Sequence, residues 1–236
     1  MKPYSRMVLC LFALVMVAGC AKTEVADRKI LVDQKVPRPD RIWVYDFVAT
    51  AADIPADSAF AGKTSEHATP QTPEQIEAGR LAGTQVAAQL VEEINNMGML
   101  AMRASSSTTP RINDIVIRGY ILSIDEGDAT KRVAIGFGSG ASELKAAVEG
   151  FQMTAQGLRR LGSGTTQSGG SSSPGTAIGV VGLIATANPV GLVVSAGVKA
   201  HGEYSGSSKI EGKAKEAAKE IANQIKPRFQ KQGWIK

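Results

Sequence analysis

The chain is 236 residues long and carries 27 Lys and Arg against 22 Asp and Glu, a formal charge of +5. Aromatic residues make up only 5% of it, and no basic stripe is interleaved with them, which argues against a nucleic-acid partner. With 2 cysteines in the whole sequence, a disulfide-stapled scaffold is excluded as well.

The N-terminus reads as a secretory signal. Lys2 and Arg6 supply the charge, and an apolar run follows from Met7 to Val17. That run is too short for a bilayer span of about 20 residues and fits a signal h-region. It ends in Val17-Ala18-Gly19-Cys20. Small residues before the cut suit an extended chain in a peptidase cleft, and the Cys makes the site resemble a lipobox. Residues 1–19 are therefore expected to be the signal peptide, and Cys20 the lipid-bearing first residue of the mature chain. Their removal takes away Lys2 and Arg6 and no acid, leaving a charge of +3 that says little about partners. Cys10 leaves with the signal, so Cys20 has no disulfide partner and is better explained as an acylation point. Each acyl methylene is worth about 0.8 kcal/mol of membrane affinity, so a multiply acylated Cys is a stable anchor. Ala21, in place of an inner-membrane-retaining Asp, points to the periplasmic side of the outer membrane.

Residues 20–37 are polar with scattered aliphatics and are expected to tether the lipid to a domain spanning 38–235. Residues 41–48 are rich in β-branched and aromatic side chains and form a strand; 50–71 lack periodicity and form a loop. A helix follows. Thr72 caps it, Pro73 takes its first position and Gln75 completes a capping box. Ile76, Gly79, Gly83, Val86, Leu90 and Ile94 line one face, where the two glycines allow a neighbouring backbone to come close; Gly98 stops the helix. Met99–Arg103 is a short strand. Asp114–Ile124, apolar on both faces, is a central strand. Residues 142–153 alternate, with Leu144, Ala146 and Val148 inward and Glu143, Lys145 and Glu149 on a polar face. This strand is expected to pair with 114–124. A last helix over 208–232 carries Ile210, Ala214, Ala217, Ile221 and Ile225 on one stripe. Pro227 is expected to kink it, Gly233 to stop it and Trp234-Ile235 to clamp it. The order predicts an α+β fold: a small mixed or antiparallel sheet with two helices on one face, plus an apolar glycine-rich hairpin insertion.

That insertion spans 161–200, and between Arg160 and Lys199 it has no charged residue. Leu161–Gly175 reads as a flexible Gly/Ser linker. Thr176–Val198 reads as two apolar arms turned at Asn188-Pro189. The arms either fold on the body of the protein, dip into a membrane, or self-associate, since a long exposed apolar segment usually marks a contact.

Few motifs suggest chemistry. Gly136, Gly138 and Gly140 form either an anion-binding turn or a steric relief before a strand. His67 and His201 have no ligand spacing, and Asp125, Glu126 and Asp128 do not fit a calcium loop. Ser139 and Ser195 lie in no nucleophile-elbow pattern. No catalytic residue, metal site or cofactor is therefore expected.

Val44-Tyr45-Asp46-Phe47, Gly136-Phe137-Gly138-Ser139-Gly140-Ala141-Ser142-Glu143-Leu144 and the ending Gln232-Gly233-Trp234-Ile235 resemble a bacterial lipoprotein family, that of domain of unknown function 4410. The first strand is also similar to that of the curli secretion channel lipoprotein. The family resemblance implies no activity. The expectation is a membrane-anchored envelope lipoprotein, a non-enzymatic binding or assembly module, that binds itself or an envelope protein. The alternative is a subunit of an outer-membrane secretion or transport assembly, with residues 176–198 in the bilayer.

Overall fold

The computed structural model describes residues 29–32, 34–61, 71–125, 143–169, 193–194 and 205–236. In chain order these form β1 (Lys29–Ile30), β2 (Ile42–Tyr45), a 3-10 turn (Ala51–Asp53), α1 (Pro73–Asn96), β3 (Ala101–Ala104), β4 (Ile115–Asp125), β5 (Glu143–Thr154), β6 (Gly157–Gly169), β7 (Val193–Val194) and α2 (Ser205–Gln232). The strands make one sheet in the order β1-β6-β5-β4-β2-β3, with β7 beside β4. It is mixed: β2 is parallel to β3 and β4, while β4, β5, β6 and β1 run antiparallel in turn. The fold is α+β, and both helices pack on the same face.

Local chemistry explains why α1 begins and ends where it does. The Thr72 side chain accepts from the Gln75 amide, and the Gln75 side chain accepts from the Thr72 amide at 2.9 Å, so two otherwise orphaned donors are satisfied. Gly98, at φ 83°, turns the chain out of the helix. Gly83 gives the close approach its position suggested. The Phe47 amide donates to its carbonyl, and a β-carbon at Gly83 would fall on the Phe47 carbonyl oxygen. A β-carbon at Gly119 would meet the Phe47 ring. The phenylalanine that closes the Val-Tyr-Asp-Phe segment is thus seated between two glycines.

α2 ends in a Schellman turn. The Gly233 amide donates to Gln230 O and the Trp234 amide to Phe229 O, both at 2.9 Å, with Gly233 at φ 76°. The Trp234 and Phe229 rings lie 5.1 Å apart, the hydrophobic contact that accompanies this cap. The helix runs through Pro227 and starts at Ser205, three residues earlier than its apolar stripe implied. Val44, Leu90, Ile117, Ile121 and Ile221 are buried together in the core between sheet and helices, as expected.

Three segments differ from their sequence reading. Leu161–Gly169 is no linker: it belongs to β6, which pairs along its length with β5. Glycine content suggested flexibility, but Gly162 and Gly164 face a helix and Thr165 and Thr166 are buried. Residues 29–32 and 34–36, at the end of the supposed tether, are built into the domain. Ile30 pairs with Gly162, and the Leu31 amide donates to Leu161 O. The Arg228 guanidinium donates to Val32 O, the Val36 amide to Gln232 Oε1 at 2.6 Å, and the Trp234 indole to Val36 O at 2.9 Å. Finally, the second face of β5 is not solvated throughout. Ala147, Glu149 and Phe151 are buried, because residues 51–61 fold over this part of the sheet. Of the apolar arms, Val193-Val194 pair with Ser123-Ile124 of β4; residues 170–192 and 195–204 lie outside the described residues.

Candidate functional site

Cys20 and the glycines Gly136, Gly138 and Gly140 lie outside the described residues, as do His67, His201, Ser139 and Ser195. Two other features concentrate unusual chemistry, one on each face of the sheet.

The first is the carboxylate of Glu149, which is fully buried. An ionised carboxylate removed from water is tolerated only when charge and lone pairs are matched. Here Oε2 accepts from Ser58 Oγ and from the Tyr120 hydroxyl, each at 2.7 Å. Oε1 accepts from the Ala59 amide at 3.0 Å and from Arg160 Nη1 at 3.1 Å. Strand pairing places Glu149 opposite Arg118, whose guanidinium donates instead to both carboxylate oxygens of Asp57, at 2.7 and 2.9 Å, while lying over the Phe151 ring at 5.0 Å. The Phe60 amide donates to Ser58 Oγ at 3.0 Å, and the Phe60 ring sits 5.1 Å from that of Tyr120. Burial pushes the Tyr120 phenol well above its ordinary value of 10. The Ser58 hydroxyl opposes that rise, and hydrogen bonding to Glu149 and its charge add to it. Tyr120 therefore stays a donor at neutral pH. With four donors on one sealed carboxylate, the cluster can hold residues 57–60 on the sheet, but it presents no face to a substrate.

The second feature lies on the helix side, where β5, β6 and α2 leave a cavity of about 130 Å³ that opens to solvent. Gly150, Gly162 and Gly164 form its floor, and Gly150 and Gly162 are cross-strand partners. Nothing lies within 4 Å of a β-carbon built on Gly150. The walls are mostly apolar: Val148, Leu161, Ile225, Phe229 and Trp234, with Ile30 from β1 and Arg228 from α2.

Neither feature was assigned from the sequence, although signals for both are there. β4 is apolar on both faces, which implies a cover on the Tyr120 side; its partner strand then has to bury Glu149. The glycines at 150, 162 and 164 alternate as a strand does, a pattern hidden by the serines and threonines around them. Among the described residues no group of three His, Cys, Asp or Glu is placed to hold a metal ion. No helix among them is long and apolar enough to cross a membrane.

The profile of the family described as "Domain of unknown function (DUF4410)" matches residues 42–187, well over half of the chain. The match takes in Val44–Phe47 and Gly136–Leu144, and stops short of the Gln232–Ile235 ending. No curated protein matches. Solved structures with some similarity include the PelC dodecamer from Paraburkholderia phytofirmans, 14% identical, with a TM-score of 0.37, covering 71% of this chain and 98% of its own. The hypothetical protein CT253 from Chlamydia trachomatis is 10% identical, with a TM-score of 0.32, covering 58% of this chain and 78% of its own. A candidate lipoprotein from Caulobacter crescentus is 14% identical, with a TM-score of 0.30, covering 63% and 83%. At such distances the fold rests on the chain's own sheet and helices.

Proposed function

The chain belongs to the family of the domain of unknown function DUF4410, and on that footing we propose that it is a lipid-anchored, non-enzymatic module of the bacterial envelope, held against the periplasmic face of the outer membrane and working by binding another envelope protein or itself. The observation that carries this reading is the clasp on Lys29–Val32 and Val36. Because the chain joins the sheet at Lys29, only eight residues, 21–28, separate it from the lipobox Cys20, a span of nine residue steps. Even fully extended, nine residues reach roughly 30 Å. The leash is short, and any pull on it passes through β1 and the Val36–Gln232–Trp234 hydrogen bonds into the C-terminal end of α2. Such a domain stays near the lipid surface instead of ranging through the periplasm.

A contact surface is also available. β3 is an edge strand among the described residues; Leu100 just before it and Met102 on it are 54% and 42% exposed. Pairing of Val193-Val194 with β4 weighs against the rival reading, in which residues 176–198 are inserted in the bilayer. Cys20→Ser tests the proposal. It is expected to abolish metabolic labelling with a palmitate analogue, to release the protein from the membrane fraction, and to erase the crosslinked partners recovered from native envelopes. Unchanged labelling and membrane retention would refute the anchored reading, and an unchanged set of partners would refute the part given to the anchor.

A further inference from the structure

We propose that the end of the sheet where β2, β3 and β4 begin docks on an anionic lipid surface, with Leu100 and Ile112 entering the interface and Arg38, Arg41 and Arg111 meeting the head groups. The three strands are parallel and start together, Ile42 pairing with both Ala101 and Ile115. Ile112 and Leu100, 69% and 54% exposed, are the two most exposed large apolar side chains among the described residues, and both stand at this end. Hydrogen bonds fix the backbone that carries them. The Arg38 guanidinium donates to Gly98 O at 2.9 Å, and the Arg38 carbonyl accepts from Asn113 Nδ2 at 3.2 Å. The Ile42 amide donates to Leu100 O at 2.8 Å and the Ile115 amide to Arg41 O at 3.0 Å. Apolar side chains on a backbone already held enter an interface at little cost in ordering.

Charge selects the occupant. Arg38 is bonded to a neutral carbonyl and Arg41 lies over the Trp43 ring at 5.9 Å. Among the described residues neither they nor Arg111 are ion-paired, so all three keep their charge. Of the two carboxylates beside them in sequence, Asp40 is exposed; Asp114 is buried and accepts from the Trp43 indole and the Arg111 amide. Guanidinium groups around exposed aliphatic side chains suit a layer of anionic head groups over hydrocarbon. A second copy suits the same surface poorly, because a two-fold contact would set these arginines against their own equivalents. The leash also reaches. From Ser163, the partner of Lys29, back to Gly157, where β6 starts at this end, is six residue steps, about 20 Å. The nine steps from Cys20 to Lys29 span up to roughly 30 Å. The inference deepens the anchored reading by giving the domain an orientation; it rests on that reading only for the membrane that supplies the lipid.

The test uses the full mature chain, residues 20–236, carrying Cys20→Ser so that binding is measured without an acyl anchor. Its partition onto vesicles of phosphatidylglycerol and phosphatidylcholine in equal parts is compared with partition onto phosphatidylcholine alone. Binding to the anionic vesicles is expected to be at least about tenfold stronger and to fall as salt is raised. Leu100→Ser combined with Ile112→Ser is expected to weaken it by about tenfold, and Arg111→Glu to weaken it comparably. These side chains are exposed, so urea unfolding should not change. Leu81→Ser, at a leucine 42% exposed on α1, should leave partition as it was. Nitroxide-labelled head groups should broaden the amide resonances of residues 98–100 and 111–113 first. Several results would overturn the assignment: no preference for anionic vesicles, undiminished binding by both the serine and the Arg111→Glu variants, an equal loss with Leu81→Ser, or broadening confined to other residues. A dimer in solution that the same variants dissolve would overturn it too, giving this end to a second copy. Labelling at Cys20 decides the anchored reading separately, so failure here leaves that reading standing.

Discussion

On one side of the sheet, α1 and α2 lay continuous apolar stripes against Val44, Ile117, Ile121, Leu144, Ala146 and Val148. On the other, residues 51–61 do the covering over β4 and β5, with Phe60 on Tyr120 and the Glu149 carboxylate beneath Ser58 and Ala59. The helical side is stabilised by area, which is cooperative and insensitive to any one polar contact. The strap side depends on a few directional bonds around one buried charge, which are sensitive to single changes. The same sheet thus has a face whose loss unfolds the domain and a face whose loss frees a short segment.

Truncating the helical side should have the largest effect. Leu90→Ala and Ile221→Ala, both fully buried, are each expected to cost about 2–5 kcal/mol in urea unfolding. Amide protection should fall throughout the domain. A cost under about 1 kcal/mol would show that this face is not the one that holds the fold.

Glu149→Gln keeps the shape, removes the charge, and replaces an acceptor with an amide among four donors. A cost of about 1–3 kcal/mol is expected, the scale for leaving buried polar groups poorly matched. Hydrogen exchange should rise first at Ser58–Ala61, with α1 and α2 still protected. Equal loosening of helices and strap would erase the distinction between the two faces.

Asp57→Asn tests the outer rim of the strap. The Asp57 side chain is 51% exposed, so despite its bidentate geometry the Arg118 pair is screened by water. The expected loss is about 0.2–1 kcal/mol.

At neutral pH the smallest effect belongs to Tyr120 ionisation. Its phenol has a raised value in the fold, so the native state holds that proton more tightly than the unfolded chain. The stability tied to this proton is fully present below pH 10, the ordinary value, and is lost as pH rises through the folded value. This contribution to the urea midpoint should therefore hold from neutral pH up to about pH 10 and fall above it, and Tyr120→Phe should flatten that fall.

The helical side was also the readable one. Thr72, Pro73 and Gln75 announce α1, Gly98 and Gly233 end the helices, and apolar residues at helical spacing identify what each buries. These signals are local, so one sequence carries them. The strap side is set by long-range contacts: Ser58 and Glu149 are 91 residues apart, and neither lies in a periodic pattern that names its partner. β6 was hidden for a related reason. Its residues are small where α2 approaches, and smallness reads as flexibility until the strand beside it is known. Likewise Val36 and Gln232, 196 residues apart, turn a polar stretch that resembles a leash into part of the domain.

The anchored reading comes down to the chemical state of one residue, Cys20. Mass spectrometry of the N-terminal peptide of the protein isolated from its native envelope tests it most directly. The account predicts a chain beginning at Cys20, with a diacylglycerol thioether on its sulfur. A chain that still begins at Met1, or one that begins elsewhere without lipid, would contradict it.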